Sequence, residues 1–138
     1  MLIKFTIKGS PIALQRHRST RTGRMYDPSA KDKKQIWLQI ARFKPKRPLE
    51  GNIQMIATFY TKRPKSHYRS GKYKHILKDN APEYNKSRAD LDNYIKMIMD
   101  IIQGKNRFII DDSQICRIQA EKVYDEKPRT EIIIEEIS

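Results

Sequence analysis

The sequence predicts an α+β fold, a small mixed β-sheet with two helices, and three observations carry that expectation. Apolar and polar residues alternate in four stretches, apolar residues recur at helical spacing in two others, and turn-rich basic segments lie between them. At 138 residues the chain is expected to form one domain, without a repeat or a second unit. A 38% apolar content fills one modest core. A domain this small buries a limited share of its surface, so oligomerisation is a natural source of added stability.

Residues 2–8 alternate as a strand, with Ile3, Phe5 and Ile7 on one side. The stretch from Gly9-Ser10-Pro11 to Gly23-Arg24-Met25-Tyr26 has turn residues at both ends and four arginines without an acid, which predicts a basic loop. Asp27-Pro28-Ser29 can start a helix reaching about residue 43, with Ile36, Ile40 and Phe43 on one face and Trp37 beside it. Pro45 and Pro48 end it, because each disfavours helical geometry in the residue before it. Residues 50–60 alternate again, placing Ile53, Met55, Ala57 and Phe59 together. Residues 61–89 carry no clear period, and an irregular stretch of that length is either functional or disordered. A helix fits residues 91–103, with a stripe of Leu91, Tyr94, Ile95, Ile98, Ile101 and Ile102, and Gly104 suits its C-terminal cap. Strands at about 114–124 and 130–137 are expected to form a hairpin around Glu126-Lys127-Pro128. The single cysteine, Cys116, rules out an intramolecular disulfide and is expected to be a buried small residue of its strand.

Charge narrows the function. The formal net charge is +13, and it is segregated. Residues 1–89 hold 22 Lys+Arg against 5 Asp+Glu, whereas residues 90–138 hold 7 against 11. An evenly soluble basic protein does not require that division, but a surface for a polyanion does. Nucleic acid is favoured over an acidic membrane, because no basic amphipathic helix or lipidation motif accompanies the charge. The N-terminus lacks a signal-peptide apolar block and no apolar run is long enough to span a bilayer, so a soluble, cytoplasmic protein is expected.

The chemistry concentrates in Asp90-Leu91-Asp92-Asn93-Tyr94-Ile95-Lys96. In an extended run, Asp90 and Asp92 share a side, and Lys96 lies one helical turn beyond Asp92. A second pair, Asp111-Asp112, follows the helix, where a return of the chain can bring one of them back toward it. Three carboxylates suit Mg²⁺ or Mn²⁺, which prefer oxygen ligands. The same residues also have structural uses: Asp92 as a helix cap, Asp90 as a partner of Arg88, and Asp111-Asp112 as turn residues. Spacing alone leaves both uses open. His17, His67 and His75 lack metal-ligand spacing, and Asp100 is expected to be solvated on the helix surface or to form a local salt bridge. Tyr68, Tyr73 and Tyr84 either stack on unpaired bases or fold back on the core.

The string Asp90-Leu91-Asp92-Asn93-Tyr94-Ile95-Lys96, followed by Phe108-Ile109-Ile110-Asp111-Asp112-Ser113-Gln114-Ile115, resembles the signature of the RusA family of Holliday-junction resolvases. In that family a D-[LI]-D-N-x-x-K helix start is followed, after a short helix, by an aromatic residue and D-D-x-Q-[IV]. The match spans roughly residues 84–117 with both halves at compatible spacing. Weaker similarity extends to the N-terminal strand with its Arg-rich loop and to Glu121-Lys122 in a late strand. Members often carry Gly-Arg-Pro-Arg near the N-terminus, where this chain has Gln15-Arg16-His17-Arg18.

The resemblance implies a Mg²⁺-dependent endonuclease, with Mn²⁺ as a possible substitute, acting as a RusA-like homodimer and encoded by a bacterium, phage or prophage. It implies that Asp90, Asp92 and Asp112 are catalytic metal ligands assisted by Lys96, with Asp111 ranked behind Asp112. The expected substrate is the four-way junction of DNA recombination and repair. Arg16, Arg18, Arg21 and Arg24, together with Lys62, Arg63, Lys65, Arg69 and Arg88, are the expected DNA contacts. Two competing readings are a broader nuclease of flaps and forks and a non-catalytic nucleic-acid-binding module. The acidic cluster argues against the second, since a pure binder has no use for carboxylates beside a polyanion.

Overall fold

Four alternating stretches become the strands of one sheet in the computed structural model, which describes residues 1–16, 18–87 and 89–137. In chain order the elements are β1 (Leu2–Lys8), β2 (Arg18–Ser19), β3 (Met25–Tyr26), α1 (Ala30–Ile40), β4 (Asn52–Lys62), α2 (Leu91–Ile102), β5 (Ile115–Asp125) and β6 (Arg129–Ile137). The main sheet runs β1-β6-β4-β5, and β2 and β3 form a separate two-stranded ribbon in the basic loop. β4 and β5 are parallel, whereas β6 is antiparallel to both β1 and β4, so the sheet is mixed as expected. The fold is α+β.

The expected C-terminal hairpin is not formed. β5 and β6 are consecutive in sequence, but β4 lies between them, and residues 126–128 carry the chain across the end of β4. β4 earns the central position by its pattern. Ile53, Met55, Ala57 and Phe59 are almost fully buried, and the intervening residues remain half-covered on the other face. β5 is an edge strand with residues 116–119 exposed, and this accounts for a second correction: Cys116 is exposed rather than buried.

Both helices cover one face of the sheet. α2 presents Tyr94, Met97, Ile98, Ile101 and Ile102 to the core, where burial stabilises by roughly 1.5–3 kcal/mol per large side chain. Tyr94 stacks on Phe59 of β4 with ring centroids 5.0 Å apart. α2 stops where Gly104 takes a φ of 129°, and the chain returns so that Phe108 and Ile109 donate their N–H groups to the Ile102 carbonyl. Phe108 then fills the space between Phe5 and Trp37. α1 contributes Ile36 and Ile40, while Phe43, in a following 3-10 turn, is partly exposed and stacks on Phe5. Ile132 and Ile134 of β6 also belong to this core, so only Ile133 of that apolar run faces the open side of the sheet.

Candidate active site

Asp90 is the N-cap residue of α2, and its carbonyl accepts from the N–H groups of Asn93 and Tyr94. Its carboxylate makes no capping hydrogen bond and is exposed. Asp92, in the first helical turn, is also exposed and lies 3.8 Å from the Lys96 ammonium. That pair is long and solvated, worth little to stability. The helix dipole favours both carboxylates at this end, but among the described residues the fold leaves them otherwise uncommitted. Capping, the structural use of Asp92 that the sequence leaves open, is therefore not realised: the N-cap is Asp90. The alternative partnership of Asp90 with Arg88 falls outside the described residues, as do the roles expected for Arg88 and His17.

The loop leading into Asp90 is held in an unusual conformation. Ala89 has a φ of 68°, a left-handed value that costs a non-glycine residue about 1–2 kcal/mol. Lys122 of β5 reaches over it, donating from Nζ to the carbonyls of Ser87 at 2.7 Å and Ala89 at 2.9 Å. Asn85, which is buried, accepts from the Ser87 N–H and hydroxyl and donates to the Thr61 hydroxyl. Thr61 in turn donates to the Val123 carbonyl. Neither Asn85 nor Thr61 carries a sequence signal, because each acts through a partner more than twenty residues away.

The second acidic pair lies at the opposite end of α2. Asp111 accepts from the Ser113 N–H and closes a capping box with Gln114. Hydrogen bonds from the Ser113 hydroxyl and N–H hold its carboxyl below the usual carboxylate range. Gln114 accepts from the N–H groups of Ile110 and Asp111 and donates to the carbonyls of Leu49 and Gly51, which uses its full bonding capacity. Asp112 is engaged by Gln103, which accepts from its N–H at 3.0 Å and approaches its carboxylate at 3.4 Å. The return of the chain thus brings Asp112 to the C-terminal end of α2. Asp92 and Gln103 are eleven residues apart, roughly 16 Å along the helix.

This separation decides how the donors fit a metal. Carboxylate oxygens suit Mg²⁺ or Mn²⁺, and Asp90 with Asp92 offers two of them. One chain does not bring Asp112 to join them, and among the described residues no three His, Cys, Asp or Glu side chains are grouped to hold an ion.

One cationic segment begins beside the acid pair, and another lines a groove beyond β4. The Leu14 N–H donates to the Asn93 carbonyl, and the buried Ser29 hydroxyl accepts from the Gln15 N–H instead of capping α1. The basic loop therefore leaves from beside the first turn of α2, with Arg16, Arg18, Arg21 and Arg24 all exposed. Beyond β4, Lys62, Arg63, Lys65, Arg69, Lys74 and Lys78 line a groove of about 770 Å³. Arg63 is partly committed to the fold, donating to the Pro82 carbonyl at 2.7 Å. Arg69 makes a 3.3 Å ion pair with the exposed Asp79. Tyr73 and Tyr84 stand exposed and Tyr68 is half-buried. Asp100 pairs with Lys33 of α1 at 3.2 Å, an ion pair between the helices rather than a local one. No helix among the described residues is long and apolar enough to cross a membrane.

Residues 8–135 match the family model for endodeoxyribonuclease RusA. The uncharacterized protein YqaN of Bacillus subtilis (strain 168) is 33% identical over 142 residues, covering 99% of this chain and 97% of the relative. The crossover junction endodeoxyribonuclease rusA of Lactococcus phage r1t is 32% identical over 115 residues, covering 81% of this chain and 77% of that protein.

Proposed function

The chain belongs to the RusA endodeoxyribonuclease family, and on that premise we propose that it is a Mg²⁺-dependent endonuclease that resolves four-way DNA junctions as a homodimer. The observation that carries this reading is the pair of exposed carboxylates, Asp90 and Asp92, at the first turn of α2, beside which the Arg-rich loop departs. A polyanion-binding protein gains nothing from exposed acids there unless a cation joins them. A bound Mg²⁺, or Mn²⁺ in its place, supplies the Lewis-acid charge stabilisation that phosphodiester hydrolysis requires. Asp90 and Asp92 would hold it, and Lys96, beside Asp92, adds positive charge where the phosphate becomes more anionic. Arg16, Arg18, Arg21 and Arg24 grip one stretch of backbone, and Lys62, Lys65, Arg69 and Arg88 another, with Arg63, tied to Pro82, as a lesser contact. Work on junctions in recombination and repair follows from this substrate.

The dimer gains a second role from the length of α2. If Asp112 is the third ligand, it must come from another chain, because its own Asp92 is a helix length away. Two α2 helices antiparallel across a two-fold axis set the N-terminal end of one against the C-terminal end of the other. Such a pair would have two equivalent sites, matching a substrate that must be cut in two strands. Asp112 suits this role better than Asp111, whose carboxylate is occupied in a cap.

The test is a cleavage panel of synthetic four-way junction, fork, flap and linear duplex, with Mg²⁺ or EDTA. Paired cuts in the junction with Mg²⁺ alone are expected. Equal cutting of forks and flaps would replace the junction reading with a broader nuclease, and no cutting of any substrate would leave a binding module.

A further inference from the structure

We propose that Lys122 is the positioning residue for Asp90, holding the strained Ala89 peptide so that the carboxylate faces outward from the start of α2. The proposal rests on the reading of Asp90 as a catalytic ligand. The geometry is specific. Lys122 uses two of its three donors on the carbonyls of Ser87 and Ala89, at 2.7 and 2.9 Å, and both belong to the turn that delivers Asp90. The second bond falls on Ala89, whose φ of 68° is left-handed. Carbonyls bound by an ammonium make stronger hydrogen bonds than neutral pairs do, which suits a backbone that would otherwise relax toward negative φ. Such relaxation rotates the peptide that leads directly into Asp90. The bracket of Asn85 and Thr61 fixes the earlier part of the turn to β4 and β5. Ala89 lies beyond that bracket, and Lys122 is the hydrogen-bonded tie from its carbonyl to β5. The same strand carries Val123 into the bracket, so one edge of the sheet holds both supports.

Three variants test this. Lys122→Met keeps the length of the side chain and removes its donors, Lys122→Arg restores donors, and Lys122→Met combined with Ala89→Gly lets the turn take a positive φ without a clamp. Lys122→Met is expected to lower kcat by about tenfold to a hundredfold, the usual cost of losing a group that orients a ligand. Junction affinity in EDTA should stay within about twofold of the parent, because the phosphate contacts are untouched. Amide hydrogen exchange at Asp90–Tyr94 should accelerate, a readout independent of activity. Both exchange and kcat should move back toward the parent in Lys122→Arg and in the Gly double variant. Parent-like kcat and exchange in Lys122→Met, alongside an inactive Asp90→Asn, would overturn the positioning role and spare the active site. Parent-like cleavage by Asp90→Asn would instead overturn the site, and the role of Lys122 with it. A general loss of folding in Lys122→Met, seen as a lowered melting temperature with weakened EDTA binding and no recovery in the Gly double variant, would also count against positioning.

Discussion

The two ends of α2 each carry a pair of aspartates or nearly so, and the fold treats them in opposite ways. At the C-terminal end Asp111 caps a turn, Gln114 bonds four backbone groups, and Asp112 touches Gln103. At the N-terminal end Asp90 makes no cap bond with its side chain and Asp92, among the described residues, has only a 3.8 Å partner, although both sit where capping is easiest. Residues that stabilise a fold are spent on backbone donors. On the proposed reading, Asp90 and Asp92 are left exposed for a ligand, and the turn before them is held by Lys122 and Asn85. The difference predicts that substitutions of Asp90 and Asp92 change chemistry, whereas substitutions of Asp111 and Gln114 change stability.

The largest effect is expected at the N-terminal end. Asp90→Asn or Asp92→Asn should reduce Mg²⁺-dependent junction cleavage by roughly a hundredfold or more, since a neutral amide is a poor Mg²⁺ ligand. Stability should change by no more than about 0.5 kcal/mol, because Asn is as good at a helix start as Asp. Junction binding in EDTA should hold or tighten once a charge repelling the phosphates is gone. Near-parent cleavage with lowered stability would return these residues to an ordinary structural role.

The opposite end should respond in the opposite currency. Gln114→Ala abandons the Leu49 and Gly51 carbonyls and two N–H groups, and should cost about 1–3 kcal/mol in urea unfolding. A parent-like urea midpoint would show that solvent replaces those bonds.

How much of this was readable without coordinates follows the range of each interaction. The stripe of α2, the alternation of β1 and β4, and the acid pair at a helix start are local, and they appear where residue spacing places them. The partner of a strand is not local. Alternation in β5 and β6 is compatible with a hairpin, and only the more continuously buried β4 claims the place between them. The same limit hid the exposure of Cys116 on an edge strand and the reach of Lys122 back to Ala89, thirty-three residues away. The D-D-x-Q segment was legible as a motif, but its division of labour was not. That Asp111 and Gln114 serve the fold depends on Leu49 and Gly51, far back in the chain.

The smallest expected effect is in acid. Because hydrogen bonds from Ser113 lower the Asp111 pKa in the folded chain, its contribution to stability is present above the ordinary carboxylate range and is lost as pH falls through the lowered value. Urea midpoints measured from neutral pH down into that range should fall slightly less steeply for Asp111→Asn than for the parent. Identical slopes would mean that the cap persists in the unfolded chain or carries no linkage.

The two ends of α2 are joined in one site only if two chains meet, and mixing inactive chains tests that directly. Asp92→Asn and Asp112→Asn proteins are unfolded together, refolded, and assayed for nicking of a four-way junction in Mg²⁺. If each site draws its acid pair from one chain and Asp112 from the other, the mixed dimer holds one intact site and one doubly damaged site. The account predicts that the mixture nicks single strands although each variant alone is inactive. A mixture as inactive as its components, with mixed dimers demonstrated by mass, would contradict it and place all three aspartates of a site in a single chain.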